Sequence, residues 1–143
     1  MKDSIILKCA EEMSQCWHRG QKYGDGDYFQ EHITKVVSSV VLAGGSVNEV
    51  VVAYLHDVVE DTDVDLDEIC GFFGLEVAEA VDAITKRECE SRDDYLKRCM
   101  ENPTAKFVKI HDAWCNLNSS VKCGDQKRIR KYKLTIQKLL RNY

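Results

Sequence analysis

The chain has a single proline among 143 residues, no Cys-x-x-Cys pair, no long apolar run and no surplus of positive charge. With so little proline, helices can run uninterrupted. Its seven cysteines (Cys9, Cys16, Cys70, Cys89, Cys99, Cys115 and Cys123) are odd in number and scattered through helical patterns. That excludes a disulfide frame and a zinc cluster as first readings, and leaves reduced thiols acting as small core hydrophobes. No stretch approaches the ~20 apolar residues of a membrane span, and no cationic segment followed by an apolar core marks a secretory leader. The formal net charge of −4 lacks the overall basic footprint of a nucleic-acid binder. A soluble, cytoplasmic chain is expected, with one domain over residues 1–143 that is large enough to bury a core unaided.

Apolar residues do recur, at helical spacing. Ile6, Cys9, Ala10, Met13 and Trp17 fit one face of a first helix, and a glycine-aspartate loop follows from Gly20 to Gly26. A second helix is expected from Phe29 to Ala43-Gly44-Gly45, and a third from Val47 through Val58. Val50-Val51-Val52 has strand propensity, but it lies inside a longer pattern with helical period. Leu66–Phe73 and Leu75–Lys86 read as shorter helices split by Gly74. Ser91 and Asn102-Pro103 are helix starts, and Gly124-Asp125 restarts the chain into a last helix ending near Leu140. The expected class is all-α, with about seven or eight helices.

The densest polar signal is Tyr54-Leu55-His56-Asp57-Val58-Val59-Glu60-Asp61. On a continuous helix His56 and Glu60 share a face, as do Asp57 and Asp61. Two carboxylates beside a histidine are costly to bury without a cation, so the segment reads either as a metal site or as a solvated acidic helix end. His32 on the apolar stripe of the second helix, taken alone, reads equally as a core histidine. Asp112, mid-helix among Val108, Ile110 and Leu117, needs a partner. Together His32, His56, Asp57 and Asp112 form a mixed nitrogen and oxygen donor set suited to Mn²⁺, Fe²⁺, Co²⁺ or Zn²⁺.

In this order the blocks resemble the HD-domain superfamily of metal-dependent phosphohydrolases, and more closely the hydrolase domain of the RelA/SpoT alarmone enzymes and their small stand-alone relatives. The resemblance rests on the stretch from His18 to His32, on Leu55-His56-Asp57-Val58-Val59-Glu60-Asp61-Thr62, on Phe73-Gly74 through Ile84-Thr85-Lys86, and on Val108 through Leu117. It spans roughly residues 10 to 120 of the chain. It implies a single HD-type helical bundle with the four residues above as metal ligands. It implies Glu60 and Asp61 as the catalytic acid pair and Asn116 beside the substrate ribose; Ser119, on the same side of that helix, is a further candidate for substrate contact. It also implies Lys86 facing phosphate, and Arg128 and Tyr132 lining the nucleotide pocket.

The family's Arg-Lys pair, which packs on guanine and holds phosphate, is Tyr23-Gly24 here. Tyr23 can stack on a base but adds no charge, and Lys22 is the neighbouring cation that stands in. His111, adjacent to Asp112, points elsewhere on a helix and reads as structural. The implied activity is hydrolysis of a nucleotide phosphate without synthetase activity. The 3′-pyrophosphate of guanosine tetra- or pentaphosphate comes first. NADPH or another phosphorylated nucleotide, or a retired nucleotide-binding module, is the alternative. The partner is a small nucleotide, with no nucleic-acid polymer and no membrane; the pattern fixes neither an oligomeric state nor the native ion.

Overall fold

A computed structural model describes residues 1–141. It is all-α apart from one short hairpin. The helices are α1 (Lys2–Trp17), α2 (Thr34–Leu42), α3 (Val47–Leu55), α4 (Val58–Asp61), α5 (Leu66–Phe73), α6 (Leu75–Ile84), α7 (Arg92–Met100), α8 (Pro103–Cys123) and α9 (Gln126–Leu140). No described helix is long and apolar enough to cross a membrane.

The core forms around α3. Val50, Val51, Val52, Ala53 and Leu55 are all buried, and α1, α2, α6 and α8 pack around them. A helix that is apolar on every side belongs inside, which explains the triple valine that has strand propensity yet folds as helix. Ser46 and Glu49 close a reciprocal capping box at its start. Asp65 with Glu68, Ser91, Asn102 and Asp125 cap α5, α7, α8 and α9 through their side chains. Gly124 adopts a left-handed conformation (φ 69°, ψ 21°) that ends α8, and α9 then folds back to bury Ile136 against Ala113 and Leu117.

Three expectations are corrected. The glycine-aspartate loop is a small antiparallel hairpin, β1 (Lys22–Tyr23) with β2 (Gly26–Asp27), turning at Gly24 with φ 59°. Positive φ at a two-residue turn is what glycine tolerates and what hairpins of this length demand. The third helix does not run through Val58: it stops at Leu55, His56-Asp57 form a turn, and α4 begins at Val58. Cysteine is mostly not a core residue here. Cys99 alone is buried among the seven, and Cys9, Cys16, Cys89 and Cys123 are exposed, although all seven are free thiols as expected.

Candidate metal centre

His32 enters from an unusual backbone. Phe29–Ile33 form one π-helical turn that runs directly into α2, with the Thr34 amide donating to the Phe29 carbonyl. Such wide turns are rare and occur mostly where a side chain must be aimed. His56 and Asp57 sit at the break between α3 and α4, and Asp112 at the middle of α8. Their donor atoms all lie within 4.8 Å of one another. His32 Nε2 is 3.0 Å from Asp112 Oδ1, 3.4 Å from Asp57 Oδ2 and 3.3 Å from His56 Nε2. His56 Nε2 is 3.1 Å from Asp57 Oδ2 and 3.4 Å from Asp112 Oδ1.

The protonation pattern tests whether these groups fit a cation. His56 Nδ1 lies 2.7 Å from the Ala53 carbonyl, which can only accept, so Nδ1 carries the proton. In the neutral ring Nε2 is then a bare lone pair aimed at two carboxylate oxygens. Four lone-pair atoms converge, and only protons or a positive ion reconcile them. Ligands held ~2.1 Å from one ion lie ~3.0 Å apart at right angles and ~3.4 Å apart at the tetrahedral angle, the range observed here. The Ala53 carbonyl supplies the outer bond that fixes such a ligand's tautomer. Without an ion, the cluster behaves as an imidazolium–carboxylate network. Despite burial, which opposes charge, the nearby carboxylates raise His32 and raise His56 well above its usual value; the imidazoles, and for Asp112 also Lys109, hold Asp57 and Asp112 well below theirs.

Around the cluster lies a cleft of about 330 Å³. Glu60 and Asp61 line one side, and both carboxyls are raised, first by burial and then by the Asp57 charge. Glu60 Oε1 also accepts from the Lys86 amide at 2.5 Å. Lys86, Arg92, Lys109, Arg128 and Lys131 line the cleft as well, with Tyr28, Tyr95 and Tyr132 among them. Asn116 donates to Asp112 Oδ1 at 2.9 Å and its Oδ1 accepts from the Tyr23 hydroxyl at 2.7 Å. The Tyr23 ring stacks on His32 at 5.1 Å, and Arg128 donates to the Tyr23 hydroxyl at 3.3 Å.

The structure therefore brings Tyr23, Lys86, Asn116, Arg128 and Tyr132 into the cleft with the acid pair and the four-residue cluster. Lys22 and Ser119 are not there. They line a neighbouring cavity of about 660 Å³, which shares Tyr23, His32 and Arg128 with the cleft. Lys22 is exposed on β1 and faces that neighbouring cavity rather than the cleft. His111 is not among the residues lining the cleft; its Nδ1 lies 2.6 Å from Ser39 Oγ and its ring is edge-on to Phe107.

Several cleft residues escaped the sequence. Lys109 Nζ lies 2.7 Å from Asp112 Oδ2, and its spacing of three from Asp112 was the available signal. Tyr28 donates to Asp57 Oδ2 at 2.5 Å. Arg92, Tyr95 and Lys131 left no comparable mark, because amphipathic helices carry such residues by default.

Comparison with known proteins first defines the class. No family model matches the chain. A solved structure of a metazoan SpoT ortholog, described as hydrolysing ppGpp, superposes with a TM-score of 0.75 at 22% identity, covering 94% of this chain and 83% of that one. That likeness establishes the all-α fold. Among curated sequences, the chain is 28% identical over 139 residues to an Aquifex aeolicus guanosine-3′,5′-bis(diphosphate) 3′-pyrophosphohydrolase, covering 92% of this chain. It is 26% identical over 140 residues to a Streptomyces coelicolor GTP pyrophosphokinase and 34% identical over 99 residues to a probable pyrophosphohydrolase of Mycoplasma genitalium. The chain spans only 20%, 16% and 14% of these three relatives' lengths. The resemblance to the hydrolase region of RelA/SpoT-type proteins is thus borne out in sequence and in fold.

Proposed function

We propose that the chain is a single metal-dependent phosphohydrolase unit acting on a nucleotide, and that its reaction is release of pyrophosphate from the 3′ position of guanosine 3′,5′-bis(diphosphate). The observation that carries this reading is the convergence of four lone-pair donors within 4.8 Å beside two carboxyls of raised pKa and a set of cations.

In this reading His32, His56, Asp57 and Asp112 hold a divalent ion, Mn²⁺ in first place, with Fe²⁺, Co²⁺ or Zn²⁺ as alternatives. A bound ion of this kind lowers the pKa of water and polarises a phosphoryl oxygen. Glu60 and Asp61 orient the attacking water and move its proton; their raised carboxyls are better matched to that task than an ordinary surface acid. Lys86 and Arg128 neutralise phosphate oxygens, Tyr132 lies against the nucleoside, and Asn116 contacts the ribose. Lys22 and Ser119 would meet the nucleotide only through the adjoining cavity. Seven free thiols, four of them exposed, suit a reducing compartment such as the cytoplasm. The partner is a small molecule rather than a nucleic-acid polymer, because five cations line one compact cleft beside the cluster while the chain as a whole carries a net charge of −4.

Tyr23-Gly24 favours one second reading. An uncharged residue latched to Asn116 stands at the base-facing position, so a nucleotide such as NADPH, losing its 2′-phosphate, competes with guanosine alarmones.

The test is to strip the protein of metal, reload it with Mn²⁺ and offer guanosine alarmones, NADPH, nucleoside phosphates and cyclic nucleotides. Pyrophosphate release from the tetraphosphate is expected, and phosphate release from NADPH alone supports the second reading. Metal binding with no turnover of any compound overturns both and leaves a nucleotide-binding module. In the double variant Glu60→Gln with Asp61→Asn, metal affinity is expected to persist while kcat falls by ~10²-fold or more. A wild-type rate in that variant removes the acid pair from the mechanism.

A further inference from the structure

His18 closes α1 and is fully buried at 0% exposure. Gln21 links it to the acid pair. Gln21 Nε2 donates to the Asp61 carbonyl at 2.8 Å, and Gln21 Oε1 lies 2.7 Å from His18 Nδ1. The Asp61 carbonyl can only accept, which fixes the amide orientation and makes Oε1 the acceptor from His18 Nδ1–H. The other ring nitrogen, His18 Nε2, is buried and finds no hydrogen-bond partner among the described residues; it is the only such side-chain atom among them. The ring also lies 5.2 Å from that of Tyr28, whose hydroxyl holds Asp57. His18 is therefore the junction of two arms, one reaching the backbone of the acid pair and the other a ligand of the candidate metal centre.

The arms matter because α4 is weak by itself. It has four residues, and Asp57 at its N-cap position makes no side-chain capping bond. One turn of helix cannot hold its own geometry, since nucleation costs more than its few hydrogen bonds return. Something outside it must fix Glu60 and Asp61.

We propose that His18 and Gln21 are positioning residues for the acid pair: His18 Nδ1–H holds Gln21, Gln21 holds the Asp61 carbonyl, and His18 Nε2 accepts a hydrogen bond from a buried water beside the cluster. Buried acceptors are almost always satisfied, and a water is the donor of the right size where no protein group reaches. The inference rests on the hydrolase reading above. It adds that the water network at this site is anchored on the protein side by a neutral histidine outside the ligand set.

Three variants and two measurements test it. Gln21→Met keeps the volume and cuts the link to Asp61. His18→Phe keeps the ring and removes both nitrogens. His18→Asn keeps a donor where Nδ1 stands and removes the Nε2 acceptor. In Mn²⁺-loaded protein, Gln21→Met and His18→Phe are expected to lower kcat ~10- to 100-fold with KM within about twofold, as displacement of a catalytic group does. Mn²⁺ affinity, read by titration, stays within about threefold, and His18→Asn retains more activity than His18→Phe. An unchanged kcat in Gln21→Met, or a loss of Mn²⁺ affinity large enough to account for the rate, overturns the proposal. Two readouts need no turnover. Nitrogen-15 spectra of the wild type should show the Nδ1–H tautomer at His18, and the Nε2–H tautomer overturns the proposal. Amide exchange at Asp61 and Thr62 should quicken ~10-fold in Gln21→Met, and unchanged exchange overturns the strut even if the protein hydrolyses nothing. A wild type that binds Mn²⁺ without turnover defeats the hydrolase reading alone.

Discussion

Replacing Lys109 by methionine removes the ammonium bonded to Asp112 Oδ2 while keeping the length of the side chain. The lysine and aspartate side chains are 14% and 5% exposed, and their charged atoms are 2.7 Å apart. A surface pair would be worth almost nothing to stability. Here the substitution leaves one oxygen of a buried carboxylate without its partner, at a cost of ~3–5 kcal/mol where the imidazoles facing the other oxygen are neutral. A domain of this size loses ~3–4 °C of melting temperature per kcal/mol, so the metal-free variant should melt roughly 10–20 °C below the metal-free wild type. The loss should shrink as pH falls. His32 and His56 lie 3.0 and 3.4 Å from the other oxygen of Asp112, and once protonated they take over as its counter-charges. It should shrink as well when a divalent ion is added, because the ion compensates the same carboxylate. The assay is thermal unfolding by circular dichroism at about pH 8, with chelator and then with Mn²⁺. A metal-free variant melting within ~3 °C of the wild type would show that Asp112 does not depend on Lys109, and the account of this corner would be wrong.

Stability of the metal-free protein should itself depend on pH with a definite sign. Imidazoles raised above their unfolded value stabilise fully below that value, and the contribution is lost as pH rises through the folded values. The lowered carboxyls Asp57 and Asp112 stabilise above their unfolded value and lose this as pH falls through their folded values. Melting temperature without metal should therefore be highest in mild acid and decline towards alkaline pH, whereas Mn²⁺ affinity should rise with pH as the imidazoles give up protons; a metal-free melting temperature that climbs through neutral pH contradicts both. Tyr23→Phe removes the hydroxyl that joins Asn116 and Arg128. It should weaken nucleotide binding by ~1 kcal/mol, about fivefold in KM, and an unchanged KM would place Tyr23 outside the binding surface. Asn102→Ala, at the cap of α8, should cost ~1 kcal/mol in denaturant unfolding without altering metal affinity, and a larger effect on the metal would mean that α8 shifts as a body.

Most helix boundaries were legible because capping chemistry is local. Ser91, Asn102-Pro103 and Gly124-Asp125 mark helix ends in the sequence and do so in the structure. The four-residue cluster was legible for a different reason: polar groups on apolar helices need partners, and His32, Asp112 and the His56-Asp57 pair were the ones without any in sequence. What escaped was set by tertiary geometry. Periodicity describes regular helices, so it missed the break at His56-Asp57 and the wide turn at Phe29–Ile33. Cysteine's usual preference for the interior misled at Cys9, which lies on the expected apolar face of α1 and is nevertheless exposed. Ser14 was passed over on the same helix, yet it is buried with its hydroxyl donating to the Tyr54 carbonyl at 2.6 Å. Lys22 and Lys109 are both lysines near candidate residues, and only the packing of α8 against the cleft makes the second one matter.

The wide turn at Phe29–Ile33 ties the surroundings of the candidate metal centre to chain length. Helical residues advance ~100° each, so closing this turn into ordinary helix by deleting one residue, such as the exposed Gln30, would swing Tyr23, Tyr28 and the hairpin ~100° around the axis of α2. The shortened chain would gain regular backbone hydrogen bonds but carry the buried Phe29 away from the Tyr54 ring it stacks on, while His32 lost the ring stacked on it and Asp57 lost the tyrosine that holds it. At this one point the register of the backbone, rather than the identity of any one donor, decides whether two tyrosines reach the cluster.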